Sequence, residues 1–128
     1  MSLGVESDTE RDTLKKEIDV LKKLPPHPNV VALIGSANTE RGSSQDIFLV
    51  LEYCDLGDLK RLLLGYNSMA TSSNPTDRLR LACRLNEFLD FGAQIAAGMD
   101  HLARHQIVHR DLAARNVLVT AEYKMKVN

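Results

Sequence analysis

The stretch His109-Arg110-Asp111-Leu112-Ala113-Ala114-Arg115-Asn116 decides how this sequence is read. It sets a basic pair, an acid and an amide within eight positions, between the apolar runs "IV" and "VLV". By this pattern Asp111 is expected on a loop between two very short strands. A carboxylate held there accepts a proton from an incoming hydroxyl. Asn116 offers a neutral carbonyl oxygen, a hard ligand of the kind Mg2+ takes. Arg115 neutralises anionic charge. Phosphoryl transfer depends mainly on positioning and charge stabilisation, and these are the residue types that supply both.

Working outward, Leu85, Phe88, Leu89, Ile95, Met99 and Leu102 recur at helical spacing and predict a long helix from about Leu85 to His105. Gly92 and Gly98 inside it each cost ~1 kcal/mol against alanine, so close packing is expected at both. "YNSMATSSNPTDR", Tyr66–Arg78, is rich in Ser, Thr and Asn and reads as a surface loop. "GDLKRLLLG", Gly57–Gly65, reads as a short helix that Gly65 closes. "NVVALIG", Asn29–Gly35, and "DIFLVLEY", Asp46–Tyr53, are strands that are apolar on both faces, hence expected to be covered on two sides. The polar "SANTERGSSQ" between them reads as a hairpin loop. The first element is a helix from about Asp8 to Leu24. Ser7 and Glu10 fit a capping box, Leu14, Ile18, Leu21 and Leu24 form its stripe, and Pro25-Pro26 stop it. "IVH", "VLV" and "MKV" are three very short strand candidates near the end.

Composition narrows the class. The chain has 128 residues, 44% hydrophobic and 26% charged, a profile that supports a packed core and argues against disorder. Lys and Arg number 16 against 17 Asp and Glu, so no basic surface for nucleic acid or a polybasic membrane patch is expected. No apolar run approaches the ~20 residues that span a bilayer. The opening "MSLGVESDTE" is polar and acidic, unlike a signal peptide. Cys54 and Cys83 form no metal or redox spacing, which fits a reducing cytosolic setting better than a disulfide framework. His101, His105 and His109 recur every fourth residue, and the first two share a helix face as zinc ligands would. No third ligand or adjacent glutamate completes such a site.

The run from His109 to Asn116 matches His-Arg-Asp-Leu-x-x-x-Asn and resembles the catalytic loop of protein kinases. With ordinary residue frequencies a chance match is on the order of 10⁻⁵. The resemblance extends from about Ser7 to the end of the chain. It implies an α+β, protein-kinase-like two-lobe fold, running from the small-lobe helix through the hinge to the catalytic loop. Residues 7–53 would be a small-lobe remnant and 54–128 the start of the large lobe, with 66–80 as an insert loop. Asp111 would be the catalytic base, Arg115 a charge stabiliser and Asn116 a Mg2+ ligand. Glu17 fits the helix glutamate that pairs with a strand lysine, although a helix-surface charge pairing with Lys16 or a neighbouring lysine is the plain alternative. "LVLEYCDLGDL" looks like the hinge. There Leu51 would guard the nucleotide pocket, and the backbones of Glu52 and Cys54 would bond the adenine edge. Leu118 would floor that pocket. Asp58 would reach the ribose, or else simply open a helix. Leu21, Leu33 and His109 resemble the family's hydrophobic spine. Ala113, where kinases for serine and threonine usually carry lysine, and the order Ala113-Ala114-Arg115 resemble a receptor tyrosine kinase of the growth-factor group.

The resemblance therefore implies ATP and Mg2+ as cofactors and a protein tyrosine as substrate, with no nucleic-acid partner. It places the chain on the cytoplasmic side, at the plasma membrane if the parent is a receptor, with dimerisation a property of that parent. The family's Gly-rich loop and Val-Ala-x-Lys strand are not found in these residues, and "KMKVN" is what normally leads into Asp-Phe-Gly. The expectation is thus an incomplete kinase domain with a sheet of two strands. By itself it would be marginally folded and inactive. The alternative is a non-catalytic, kinase-derived interaction fragment or truncated isoform.

Overall fold

The computed structural model describes residues 2–4, 8–41 and 44–128. They form two compact units, residues 1–26 with 32–52 and residues 27–31 with 53–128.

In the first unit, β1 (Ser2–Gly4), α1 (Asp8–Lys23), β2 (Leu33–Arg41) and β3 (Ser44–Leu51) follow one another. The strands make one antiparallel sheet in the order β1-β3-β2, so the sheet has three strands where two were expected. The opening segment supplies the third, Ser2–Gly4 pairing with Asp46–Phe48. α1 matches the helix read from its stripe, with Ile18 buried and Lys22 and Lys23 in the last turn, where cations favour the helix dipole. Ser7, the expected cap, lies outside the described residues. Most of "SANTERGSSQ" is strand, because Gly35 to Arg41 pairs residue by residue with Val50 to Ser44. Backbone pairing does not require apolar side chains, and Ala37 to Glu40 stay exposed on this edge strand. Nor is the sheet covered on both faces, since Ile34 is 68% exposed and Val50 48%.

The second unit holds α2 (Leu59–Ala70), α3 (Pro75–Arg104), a 3-10 turn (Ala114–Asn116), β4 (Val117–Val119) and β5 (Met125–Val127). The segment 66–80, expected as a loop, is helical except at 71–74. α2 runs straight through Gly65, and α3 begins ten residues earlier than Leu85, at Pro75. Asn74 caps α3, its side chain accepting from the Thr76 N–H at 2.9 Å, with Pro75 at the first helical position. The polar residues that suggested a loop thus include the start signal of a helix.

"IVH" is not a strand. Gln106 adopts φ 60°, and its N–H reaches the Ala103 carbonyl while the Ile107 N–H reaches the Leu102 carbonyl. This double closure ends α3 and consumes the backbone groups that a strand would have used. Asp111 accordingly follows a helix end and does not lie between two strands. "VLV" and "MKV" do pair, Val117 opposite Val127 and Val119 opposite Met125, and these four side chains are essentially fully buried. The hairpin is extended on both sides. The Leu56 N–H donates to the Val119 carbonyl and the Val119 N–H to Gly57, while the Val31 N–H donates to Val127 and the Val127 N–H to Asn29. Around it lies the core of Leu59, Tyr66, Phe91, Val117, Val119 and Met125.

Candidate active site

The 3-10 turn and the end of β5 build the site. Asp111 is exposed, and its carboxylate accepts from the Arg115 guanidinium at 2.6 Å and from Asn116 Nδ2 at 3.0 Å. Asn116 Nδ2 also donates to the Asp111 carbonyl at 2.9 Å, which folds the loop back on itself. The Asp111 N–H donates to His109 Nδ1 at 3.2 Å. With Nδ1 accepting, the ring proton sits on Nε2, which lies 2.6 Å from the Asn128 carbonyl. The Asn128 N–H in turn donates to the Asn116 carbonyl at 2.9 Å. One residue after β5 thus ties both ends of the loop together.

Between those ties Arg110 adopts φ 67°, a left-handed conformation that costs a non-glycine residue ~1 kcal/mol or more. Asp111, Arg115 and Asn116 are brought together as a cluster, with the arginine paired to the acid through an exposed i,i+4 contact.

The other expected residues are placed as follows. Leu118 is half-buried in β4 and is the backbone bridge partner of Asp58. Asp58 caps α2, its carboxylate accepting from the Arg61 N–H at 2.8 Å. Cys54 is buried, and its carbonyl accepts from the Gly57 N–H in the turn before α2. Glu17 lies exposed on α1, and Leu51 ends β3 in the first unit. There Glu52 takes both backbone groups of Ala32, its N–H donating to the carbonyl at 3.0 Å and its carboxylate accepting from the N–H at 2.8 Å. Among the described residues no cluster of three or more His, Cys, Asp or Glu side chains is placed to hold a metal ion. His101 instead stacks on His27, ring centres 4.7 Å apart.

A sequence pattern described as protein tyrosine and serine/threonine kinase matches residues 3–128. The chain belongs to this family. Among its relatives, it is 35% identical over 123 residues to the tyrosine kinase receptor Cad96Ca of Drosophila melanogaster, covering 94% of this chain and 15% of that one. It is 32% identical over 123 residues to fibroblast growth factor receptor 1 of Xenopus laevis, covering 94% and 15%. It is 34% identical over 128 residues to inactive tyrosine-protein kinase 7 of Mus musculus, covering 99% and 11%. The chain thus spans well under a fifth of the length of these relatives. No helix among the described residues is long and apolar enough to cross a membrane.

Two kinds of site residue were not singled out from the sequence. One is Asn128, whose part is played by its backbone and carries no side-chain signal. The other is Gln94, a polar residue on the face of α3 that buries Phe91, Gly98 and Leu102. That break in an apolar stripe was a readable signal.

Proposed function

We propose that this chain carries the catalytic loop of a receptor-type protein tyrosine kinase, which transfers the γ-phosphoryl group of ATP to a tyrosine hydroxyl. The observation that carries this reading is the cluster of Asp111, Arg115 and Asn116, in which two hydrogen bonds hold the exposed Asp111 carboxylate and two more hold its backbone N–H and carbonyl. In the reaction a tyrosine oxygen forms a bond to the γ-phosphorus, the bond from that phosphorus to the β–γ bridging oxygen breaks, and ADP leaves. Asp111 takes the tyrosine proton. Arg115 and Asn116 orient the carboxylate, and Arg115 lends positive charge near the transferred group. The order Ala113-Ala114-Arg115 and the receptor tyrosine kinases among the relatives support tyrosine as the acceptor.

The donor set fits Mg2+ in a limited way. With its Nδ2 given to Asp111, Asn116 keeps Oδ1 as one hard ligand. Mg2+ is commonly held by one or two protein oxygens, with waters and substrate phosphates completing its shell. Bound there, Mg2+ would draw charge from the phosphate oxygens. Leu51, Leu118, Asp58 and the backbones of Glu52 and Cys54 are the proposed nucleotide contacts, and Glu17 the proposed partner of a strand lysine. On this reading the kinase works on the cytoplasmic side of the plasma membrane.

A second reading, a non-catalytic kinase-like interaction protein, is favoured by one observation. A relative 34% identical across 99% of this chain is named an inactive kinase. One assay separates the two. Phosphotransfer from ATP to a tyrosine peptide is measured for the full-length gene product and its Asp111→Asn variant. Catalysis predicts a loss of ~10²–10⁴-fold in the variant. Equal rates in the two proteins would sink the catalytic reading and leave the interaction protein.

A further inference from the structure

Gln94 is half-buried, and every donor and acceptor position of its amide is engaged within the protein. Its Oε1 accepts from the Met125 N–H at 2.8 Å and from Asn29 Nδ2 at 3.1 Å. Its Nε2 donates to Asp90 at 2.7 Å and reaches the Tyr123 carbonyl at 3.5 Å. Asn29, a buried polar residue, donates from the same Nδ2 to the Met125 carbonyl at 2.9 Å. Both backbone groups of Met125 are therefore held by side chains, one from α3 and one from residues 27–31. The seat is tight, since a methyl group on Gly98 would come within 2.4 Å of the Asn29 carbonyl oxygen.

β5 starts at Met125 and ends one residue before Asn128, the residue that ties His109 to Asn116. Apolar packing holds β5 against the core but is non-directional, so hydrogen bonds set where the strand lies along its own axis. At its far end these are the backbone bonds of Val127 to Asn29 and Val31, and at its start they are the side-chain bonds to the amide and carbonyl of Met125.

We propose that Gln94, acting with Asn29, is a positioning residue for the catalytic loop: it sets the placement of β5, and through Asn128 that of His109, Asp111 and Asn116. This rests on the catalytic reading for its consequence in turnover. A displacement of about 1 Å in a catalytic group can cost ~10²-fold in rate.

The test uses the full-length gene product, ATP and a tyrosine peptide. Gln94→Leu keeps the approximate bulk and removes all four contacts. It is expected to lower kcat at least ~10-fold while KM for ATP stays within ~2-fold, the pattern of lost positioning without lost binding. Gln94→Glu alone sets two carboxylates side by side. Combined with Asp90→Asn it restores a donor on one side and an acceptor on the other. This pair is expected to return kcat to within ~3-fold of the parent. An unchanged kcat in Gln94→Leu, or a double variant as impaired as Gln94→Leu, would overturn the proposal.

Backbone amide exchange reads the same placement without activity. The Asn128 and Asp111 amides should exchange at least ~10-fold faster in Gln94→Leu, while the Val119 amide, bonded to Gly57, keeps its protection. Unchanged exchange at Asn128 overturns the positioning role. If the parent protein is no faster than Asp111→Asn, the catalytic reading alone fails, and the exchange result then decides whether Gln94 places the loop.

Discussion

The two glycines of α3 carry opposite meanings. Both were expected to mark close packing, and only Gly98 does. A Cβ there would meet the Asn29 carbonyl oxygen at 2.4 Å and a Val127 methyl at 3.0 Å, and the first of these is backbone that cannot swing aside. At Gly92 nothing lies within 4 Å. Gly98→Ala should therefore destabilise by ~1–3 kcal/mol through overpacking, despite alanine's better helix propensity. Gly92→Ala should stabilise by ~0.5–1 kcal/mol, the helix-propensity difference alone. Urea denaturation of the two variants against the parent checks both signs, and equal shifts would refute the contrast. Asp111 shows the same dependence on surroundings. Its residue type made it a candidate base, but its orientation comes from Arg115, Asn116 and His109, which only the folded loop brings around it.

Among the elements, α3 was read correctly as to type and C-terminal end and wrongly as to its start. Burial does not mark that boundary, since Leu81 upstream packs against the core while Leu89, within the stripe, is 81% exposed. The chain continues as helix because Asn74 and Pro75 start it and Asp77 sits in its first turn, near the positive end of the dipole. That start can be tested. Asn74→Ala should cost ~1 kcal/mol, since it removes the acceptor for the Thr76 N–H. Thermal melts of this variant and of Asn74→Asp, which keeps an oxygen acceptor, should differ by that amount. Identical melts would deny the cap. α2 shows a related effect. Gly65 was read as its end, yet the helix passes through and delivers Tyr66 to the core, ring centre 5.3 Å from Phe88. Burial pushes the Tyr66 hydroxyl pKa up, against the pull of the nearby Arg84 guanidinium, as suits a packed residue and not an exposed acceptor.

For the molecule as a whole, stability should depend on pH through His27. Burial, then the neighbouring His101 ring, holds its pKa below the usual histidine value, while Asp100 opposes and Lys126 adds to the lowering. Its Nδ1 also accepts from the Asn29 N–H at 3.0 Å, a bond that protonation of that nitrogen would break. The folded state thus prefers neutral His27. The contribution is complete above the unfolded pKa of about 6.5 and is lost as pH falls below it toward the lower folded value. Melting temperatures followed from pH 7.5 down to pH 5 should fall, and His27→Gln should flatten the part of that fall due to this ring (pH range chosen to bracket ~6.5). A parallel decline in both proteins would remove His27 from the account.

The residues by themselves determined the family, through the eight-residue run ending at Asn116. They also determined helices whose apolar stripes are long enough to show their period, and the short strands "VLV" and "MKV", where the valines and Met125 face one core. The motif was legible because the chemistry of the loop depends on residue types at fixed spacing. Tertiary structure alone decided the third strand of the sheet, the helical course of residues 66–70, and the turn that replaced "IVH". It also decided the fastening of the loop by Asn128, Gln94 and Asn29. Those features rest on backbone hydrogen bonds and on close approaches between residues as far apart as Asn29 and Met125. Backbone groups are the same at nearly every position, so a sequence does not say which partner each will find.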